Sequence, residues 1–169
     1  MSPDELLPLI RRLRRAPLAS LDAPGTPTLG RAEIEKLVPH RGTMLLLDRI
    51  DSVDLGEKRL RARRHIDPND PVFVGHFPAN PVYPGVLLIE MMGQAGLCLL
   101  PLLSDETNAR AVRMTHVHHA TFFAPVLPGM DVTVVAALAD DSLTFTALGQ
   151  IYHGETLCAF AISEVYVGE

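Results

Sequence analysis

The sequence predicts an α+β fold in which one curved antiparallel β-sheet wraps around a single buried helix. The stretch "VLLIEMMGQAGLCLL", residues 86–100, is apolar on nearly every side, which is typical of a helix buried all round. Strand-like stretches follow it, separated by turn signals, at residues 111–123, 130–139, 142–153 and 156–167. Because such a helix must be covered on all sides, one sheet wrapped around it is the economical architecture.

The N-terminal region predicts an amphipathic helix followed by a linker. Ser2 and Glu5 form a capping-box pattern. Apolar residues then recur at helical spacing, at Leu6, Leu9, Ile10 and Leu13. Prolines and glycines between residues 17 and 30 indicate a linker or surface arm. We therefore divide the chain into an N-terminal helix and linker, residues 1–30, and one folded domain, residues 31–169.

A short helix and two strands are expected next along the chain. "RAEIEKLVPH" predicts one or two helical turns that end at Pro39, and "TMLLLDRIDSVDLG" predicts a strand toward Gly56. "KRLRARRHI" predicts a second strand, hairpinned to the first. One face of this second strand, which we expect to be exposed to solvent, carries Arg59, Arg61, Arg63 and His65.

Residues 67–83 contain four prolines and cannot form a regular element, so we expect a long structured loop of the kind that carries function. His76 lies at the centre of this loop. Pro84 and Gly85 then open the central helix, which Pro101 should end or kink.

Composition restricts the class of protein. An apolar share of 47% with 21% charged residues is ordinary for a globular protein, and a net charge of -5 argues against nucleic acid as the main partner.

Cys98 and Cys158 show neither metal-type nor redox-type spacing, so we interpret them as free thiols in the reducing cytoplasm. Asp4 and Glu5 precede the first apolar stretch, the reverse of a secretory signal. No uninterrupted apolar run approaches the ~18 residues of a membrane-spanning helix, so no membrane is expected as a partner.

Glu90 is the anomaly of the central helix, because an ionised carboxylate without partners is very costly to bury. Three outcomes are open: a salt bridge satisfies Glu90, it reaches solvent at an edge of the helix, or it is an acid in an apolar cleft whose pKa desolvation raises. Gln94 lies one turn further along the same face. Gly93 and Gly96 remove side-chain bulk beside that face, so that a ligand or another backbone can approach.

Two neighbouring features make a catalytic interpretation of Glu90 more specific. The helix starts at Gly85 with unpaired backbone amides and a positive dipole end, which suit a developing oxyanion. His76 supplies an imidazole, the side chain best suited to proton transfer near neutrality, although a lone loop histidine is more often bonded to a backbone carbonyl. Together, these residues place a base, an oxyanion donor and an acid within fifteen positions.

Three stretches resemble the successive motifs of the FabZ-type β-hydroxyacyl-acyl-carrier-protein dehydratases: "PHRGTMLLLDRI", "NDPVFVGHFPANPVYPGVLLIEMMGQAG" and "ATFFAPVLPGM". The resemblance runs from about Ile34 to Val167, and its specific part is GHFP followed by PGVLLIE, with fourteen residues from His76 to Glu90. It implies a hotdog fold, in which a six-stranded antiparallel sheet wraps around a long helix. It also implies a homodimer with one continuous sheet, often assembled into a trimer of dimers.

The resemblance further implies an active site that lies across the dimer interface. His76 of one subunit and Glu90 of the other would face one acyl thioester, whose carbonyl would accept the amide of Gly85. The reaction would dehydrate a 3-hydroxyacyl thioester on an acyl carrier protein to the trans-2-enoyl thioester, in fatty acid or related biosynthesis, without a cofactor or metal. A cis peptide bond is expected after His76. Expected walls of the acyl tunnel, each explained equally well by core packing, are Phe77, Tyr83, Val86, Met91 and Leu97, and Gln94 is a further substrate-binding candidate.

The third motif departs from the family pattern, which usually has basic residues near its phenylalanine that help to receive the acidic carrier protein. His119, Thr121 and Phe123 stand in that region here. The candidates for a replacement positive charge are Arg110 and Arg113, the arginines between 59 and 64, and the N-terminal helix. We expect a packing or surface role for that helix first, since charged helical faces are usually just solvated.

Other functions remain open at this level. A hotdog thioesterase or a coenzyme-A-linked enoyl hydratase would act on the same thioesters, and a catalytically silent acyl-binding subunit would need an active partner. Glu90 stands where an isomerising branch of the family has Asp, which favours dehydration alone. The histidines of "THVHH" lack a third ligand at recognisable spacing, so no metal site is expected.

Overall fold

One antiparallel sheet wraps around a single long helix in the computed structural model, which describes residues 1–20, 28–103, 111–141 and 144–168. The strands are β1 (Leu29–Gly30), β2 (Arg49–Asp54), β3 (Arg59–His65), β4 (Ala111–Phe122), β5 (Asp131–Asp141), β6 (Thr144–His153) and β7 (Thr156–Gly168). The helices are α1 (Pro3–Arg15), α2 (Arg31–Leu37) and α3 (Gly85–Leu103), with short 3-10 helices at Gly42–Met44 and Pro71–Val74.

The strand order in the sheet is β1-β2-β3-β5-β6-β7-β4, so that β4 and the short β1 form its two edges. The predicted α+β class and hotdog architecture are confirmed. The described sheet has seven strands where six were expected, because the two residues of β1 pair with the start of β2. The predicted linker falls partly on residues 21–27 and the polar break after α3 on 104–110, both outside the described residues.

The inner face of the sheet packs tightly on α3. Met91, Ala95 and Cys98 are fully buried between this helix and the strands. Gly149 on β6 has no side chain where Met92 crosses the sheet, and a Cβ there would collide with that methionine. Because such close packing resists displacement, it fixes the position of α3 and therefore of its first turn.

Burial along α3 is less uniform than predicted. By length and apolar composition the helix could cross a membrane, but half of its most apolar window is buried inside the fold, as in a core helix. Val86 in its first turn is 71% exposed, so the prediction of burial all round was wrong there. The helix also continues through Pro101 to Leu103, so Pro101 does not end it, although it removes the N–H that would donate to the carbonyl oxygen of Leu97.

The strand predicted from Thr43 onward begins only at Arg49. Residues 42–48 instead form a 3-10 turn and an extended segment that packs over α3. The amide of Gln94 binds the carbonyl oxygen of Met44 and the N–H of Leu46, and so supplies the hydrogen bonds that a neighbouring strand would otherwise provide.

The arginine face of β3 is partly buried, and the expectation of a solvent-facing surface was wrong. Arg61 is 3% exposed, donates to the carbonyl oxygen of Ser20 and lies 3.7 Å from the carboxylate of Asp51. Arg63 donates to the same carboxylate. The segment after α1 covers this face, and the Asp51 charge compensates the buried guanidinium.

Helix α1 is held against the outer face of the sheet. The Ser2–Glu5 capping box is present, and Leu13 is fully buried in an apolar cluster with residues of β5, β6 and β7. Gln150, fully buried on β6, donates to the carbonyl oxygens of Leu13 and Ala16 and accepts from the N–H of Leu18. These bonds to the last turn tie the helix to the sheet in one orientation.

Candidate active site

The loop before α3 is ordered by its own hydrogen bonds. The Asp70 carboxylate accepts from the N–H of Val72 and caps the 3-10 helix that follows. The N–H of His76 donates to the carbonyl oxygen of Val72 over 3.0 Å. The N–H of Tyr83 donates over 2.8 Å to the carbonyl oxygen of Val126, which joins the end of the loop to the segment after β4. The loop therefore holds its histidine in a fixed position beside α3.

One nitrogen of the His76 ring is occupied and the other is available. Nδ1 lies 2.8 Å from the carbonyl oxygen of Val82, and since a carbonyl oxygen only accepts, Nδ1 carries the proton. In the neutral ring, Nε2 is then the basic atom. The Phe77 ring stacks on the imidazole at 4.1 Å, and the peptide bond between these residues is cis, as the resemblance implies.

His76 lines a cavity of about 510 Å³ between the loop, the first turn of α3 and the segment after β4. Apolar side chains make most of the wall, whose residues are His76, Val82, Tyr83, Gly85, Val86, Leu88, Ile89, Phe122, Phe123, Ala124, Pro125 and Val126. Among these lining residues, His76 is the only imidazole. Burial raises the pKa of Tyr83, so its hydroxyl stays protonated. The size and apolar character suit an acyl chain.

Gly85 brings a backbone amide to this cavity. As the first residue of α3, its N–H has no acceptor within the helix. A Cβ at position 85 would lie 2.9 Å from two ring atoms of Phe122, so a side chain here would displace that ring. Glycine therefore lets the helix start and the end of β4 approach closely at the wall of the cavity.

Glu90 is half-buried and hydrogen-bonded through one of its oxygens. Oε1 lies 3.0 Å from Nε2 of His40 and accepts from Nε2 of Gln94 over 2.9 Å. The hydrogen bond from His40 lowers the pKa of Glu90 and outweighs burial, which acts to raise it. Of the three outcomes left open by the sequence, the structure therefore shows a partly exposed carboxylate satisfied by a polar partner, and not one whose pKa is raised.

Gln94 holds Glu90 from within the core. Its side chain is 1% exposed and does not line the cavity of His76. Its amide binds Met44, Leu46 and Glu90 at once, so it joins the segment before β2 to α3 and to the carboxylate. This placement makes Gln94 a support for Glu90 instead of a wall of the tunnel.

The other residues expected around the acyl chain occupy different places. Tyr83 and Val86 line the cavity. Phe77 is 53% exposed and touches the site through its stacking on His76. Met91 and Leu97 belong to the core between α3 and the sheet.

Sequence reasoning missed His40 as a partner of Glu90. The signal was available, since His40 stands in the first quoted motif, but nothing in the sequence links position 40 to position 90. Nδ1 of His40 is buried without a hydrogen-bond partner among the described residues, so the Glu90 contact is the polar contact that orients its ring.

The "THVHH" histidines lie away from this cavity. His116 and His118 each approach the Glu164 carboxylate to 3.4 Å, and the two rings stack at 5.6 Å. Across the part of the chain that the structure describes, no three His, Cys, Asp or Glu side chains are grouped to hold a metal ion.

Comparisons with known proteins extend these observations. The sequence profile of the family described as the FabA-like domain matches residues 38–155. A protein of Chlamydia muridarum named 3-hydroxyacyl-[acyl-carrier-protein] dehydratase FabZ is 39% identical over 112 residues, which cover 66% of this chain and 72% of that protein. The Aeromonas salmonicida protein of the same name is 34% identical over 137 residues, 78% of this chain and 89% of the relative.

A solved structure with the same fold is the dehydratase heterocomplex ApeI:P from Xenorhabdus doucetiae. Its chain superposes with a TM-score of 0.65 at 17% identity, covering 80% of this chain and 91% of that one. At 17% identity, this similarity shows a shared fold and nothing more specific.

Proposed function

Since this chain belongs to the family of FabA-like domains, we propose that it dehydrates 3-hydroxyacyl thioesters carried by an acyl carrier protein to trans-2-enoyl thioesters, in fatty acid or related biosynthesis. The observation that carries the proposal is the meeting of the His76 ring and the Gly85 backbone at one apolar cavity. We place the enzyme in the cytoplasm, where its two free, buried cysteines stay reduced.

Proton removal falls to His76. With Nδ1–H held by the carbonyl oxygen of Val82, Nε2 of the neutral ring takes a proton from C2 of the substrate. The Val82 contact also stabilises the imidazolium that forms, because the same N–H remains a donor. A positioned base of this kind contributes roughly a hundredfold to ten-thousandfold in rate.

The negative charge then moves to the thioester oxygen, where the amide of Gly85 receives it. The start of α3 adds the positive end of its dipole at the same place. One such donor is worth about 3 to 4 kcal/mol of transition-state stabilisation.

Loss of the C3 hydroxyl requires an acid, and we assign this role to Glu90 of the partner subunit. Within one chain Glu90 is not among the residues that line the His76 cavity, which supports an assignment of the two groups of one site to different subunits. Strand β4 is a long edge strand that exposes Met114 and Val117, and it ends at Phe122 beside the cavity. A second copy that pairs along this edge would cover these apolar side chains and form a homodimer with a continuous sheet.

Glu90 must be protonated to act as this acid. In the single chain its pKa is lowered by His40, but bound acyl chain and partner would remove water from the half-exposed carboxylate and raise its pKa. The proton from C2 ends on Nε2 of His76, and the C3–O bond breaks as the hydroxyl takes the Glu90 proton and leaves as water. Proton exchange with solvent resets both groups.

Turnover with a 3-hydroxyacyl-carrier substrate tests the proposal. Wild-type protein alone should give an increase in enoyl absorbance, and His76→Ala and Glu90→Gln should each lose most of it. Release of free thiol would instead identify a thioesterase, and product formed only after addition of a second protein would identify a silent subunit. Near-normal dehydration by either variant would contradict the assigned roles.

A further inference from the structure

We propose that the arginines at the C-terminal end of α1 receive the carrier protein beside the active-site cavity. This α1 arginine surface consists of Arg11, Arg12, Arg14 and Arg15, all exposed. The inference rests on the proposed function, and it names where the acidic partner and its anionic phosphopantetheine arm would bind.

The surface is held in place by the fold. Leu13, in the middle of the arginine run, is fully buried against the sheet, and the carbonyl oxygens of Leu13 and Ala16 accept from the buried amide of Gln150. The arginines therefore project from a fixed turn, and their charges keep one position relative to the rest of the domain.

That position is next to the cavity of His76. The guanidinium carbon of Arg14 lies 5.6 Å from the centre of the Phe123 ring, and Phe123 lines the cavity. Phe123 also contacts Phe160, a member of the apolar cluster that binds α1. The charge of Arg14 thus lies over Phe123, in the third-motif region where the family usually has basic residues and this chain has uncharged ones.

The competing arginines of β3 already pair with acids inside the protein. Arg61 and Arg63 both face the carboxylate of Asp51, and Arg64 pairs with Asp48 over 2.8 Å. These side chains neutralise acids of the same sheet, which leaves little of their charge for a partner. Arg110 lies outside the described residues.

The α1 arginines, in contrast, have no carboxylate partner among the described residues. Within residues 1–20, 28–103, 111–141 and 144–168, none of the four pairs with a carboxylate. Four like charges at i,i+3 and i,i+4 spacing repel one another, and the dipole at a helix C-terminus offsets this only in part. In a chain of net charge -5, such a cluster is suited to an anionic partner, and guanidinium groups bind phosphate in a forked geometry.

The test replaces Arg12, Arg14 and Arg15 together by Gln, which keeps helix propensity and removes charge. The kcat/KM is measured on two substrates, a 3-hydroxyacyl carrier protein and the same acyl group on N-acetylcysteamine, which lacks both carrier and phosphate. We expect a loss of about tenfold or more on the carrier substrate and an unchanged value on the small thioester. Added salt should lower the wild-type kcat/KM for the carrier substrate and have little effect on the variant.

Lys36→Gln, which removes an exposed charge from α2, is the matched control and should leave both substrates unaffected. The inference is overturned if the triple variant keeps the wild-type value on the carrier substrate, or if it loses both activities equally, as for a merely structural helix. Wild-type protein that turns over neither substrate would refute the proposed function itself, and this inference with it.

Discussion

Replacement of Gln94 by Leu separates the support of the active site from its chemistry. Leucine has nearly the same volume but cannot bind the carbonyl oxygen of Met44, the N–H of Leu46 or the carboxylate of Glu90. The carbonyl oxygen of Met44 and the N–H of Leu46 would then lack the Gln94 amide as a partner. Since the Gln94 side chain is only 1% exposed, water does not readily take its place.

The cost can be worked from those contacts. Each buried polar group left without a partner costs about 1–3 kcal/mol, which gives about 2–4 kcal/mol for the two backbone groups if the segment relaxes partly. For a protein of this length, 1 kcal/mol lowers Tm by roughly 2–4 °C, so we expect a decrease of roughly 4–16 °C. Glu90 also loses one of its two donors, and dehydration should fall about tenfold or more as the acid loses its fixed orientation.

Gln150→Leu is the matched control, since Gln150 is also fully buried and also makes three hydrogen bonds, but to α1 on the opposite face of the sheet. It should release α1 and spare turnover of small thioesters, because α1 can leave the sheet locally while the rest stays folded. Thermal unfolding and turnover of an N-acetylcysteamine thioester measure both effects. The reasoning is refuted if Gln94→Leu retains wild-type Tm, or if the two variants lose small-thioester activity equally.

Three further changes have definite expected outcomes. Gly85→Ala places a methyl group 2.9 Å from ring atoms of Phe122, where carbon contacts are normally about 3.5–4.0 Å, so kcat/KM should fall while Tm changes little. Phe122→Leu in the same chain should restore part of the activity. If the effects of the two changes are instead additive, a steric clash is not the cause. Burial acts to raise the pKa of Asp51, but its bonds from arginines outweigh this and hold the pKa below its ordinary value. The stability it provides is fully present above the pKa of the unfolded state and is lost as pH falls through the lower pKa of the folded state, so Asp51→Asn should be destabilised at pH 7 and its difference from wild type should shrink in acid, as measured by chemical denaturation. His40→Phe removes the hydrogen bond that lowers the pKa of Glu90 and leaves burial in place, so an NMR titration of that carboxyl should show a raised pKa, and an unchanged value would remove His40 from the site.

Local patterns allowed much of the fold to be predicted from sequence. The capping box of α1, the buried middle of α3 and the strands after it depend on short-range periodicity, which the chain carries in full. The apolar run before β2 could not be distinguished from a strand, because its hydrogen-bond partner is Gln94, about fifty positions away.

Long-range pairing also limits what the sequence says about the site. His76, Gly85 and Glu90 could be selected from one motif, but their placement relative to one cavity required coordinates. The His40 contact and the burial of Arg61 by the segment after α1 both join distant parts of the chain. A charge pattern alone does not show which arginines are already paired inside the fold.

Complementation between two inactive variants tests most directly the claim that His76 and Glu90 meet across two copies of the chain. His76→Ala and Glu90→Gln chains, co-expressed in equal amounts, should regain about one quarter of wild-type turnover, because half of the dimers are mixed and each mixed dimer has one complete site. If mixed dimers form and remain as inactive as either parent, the two groups act within one chain or not together, and the account is wrong.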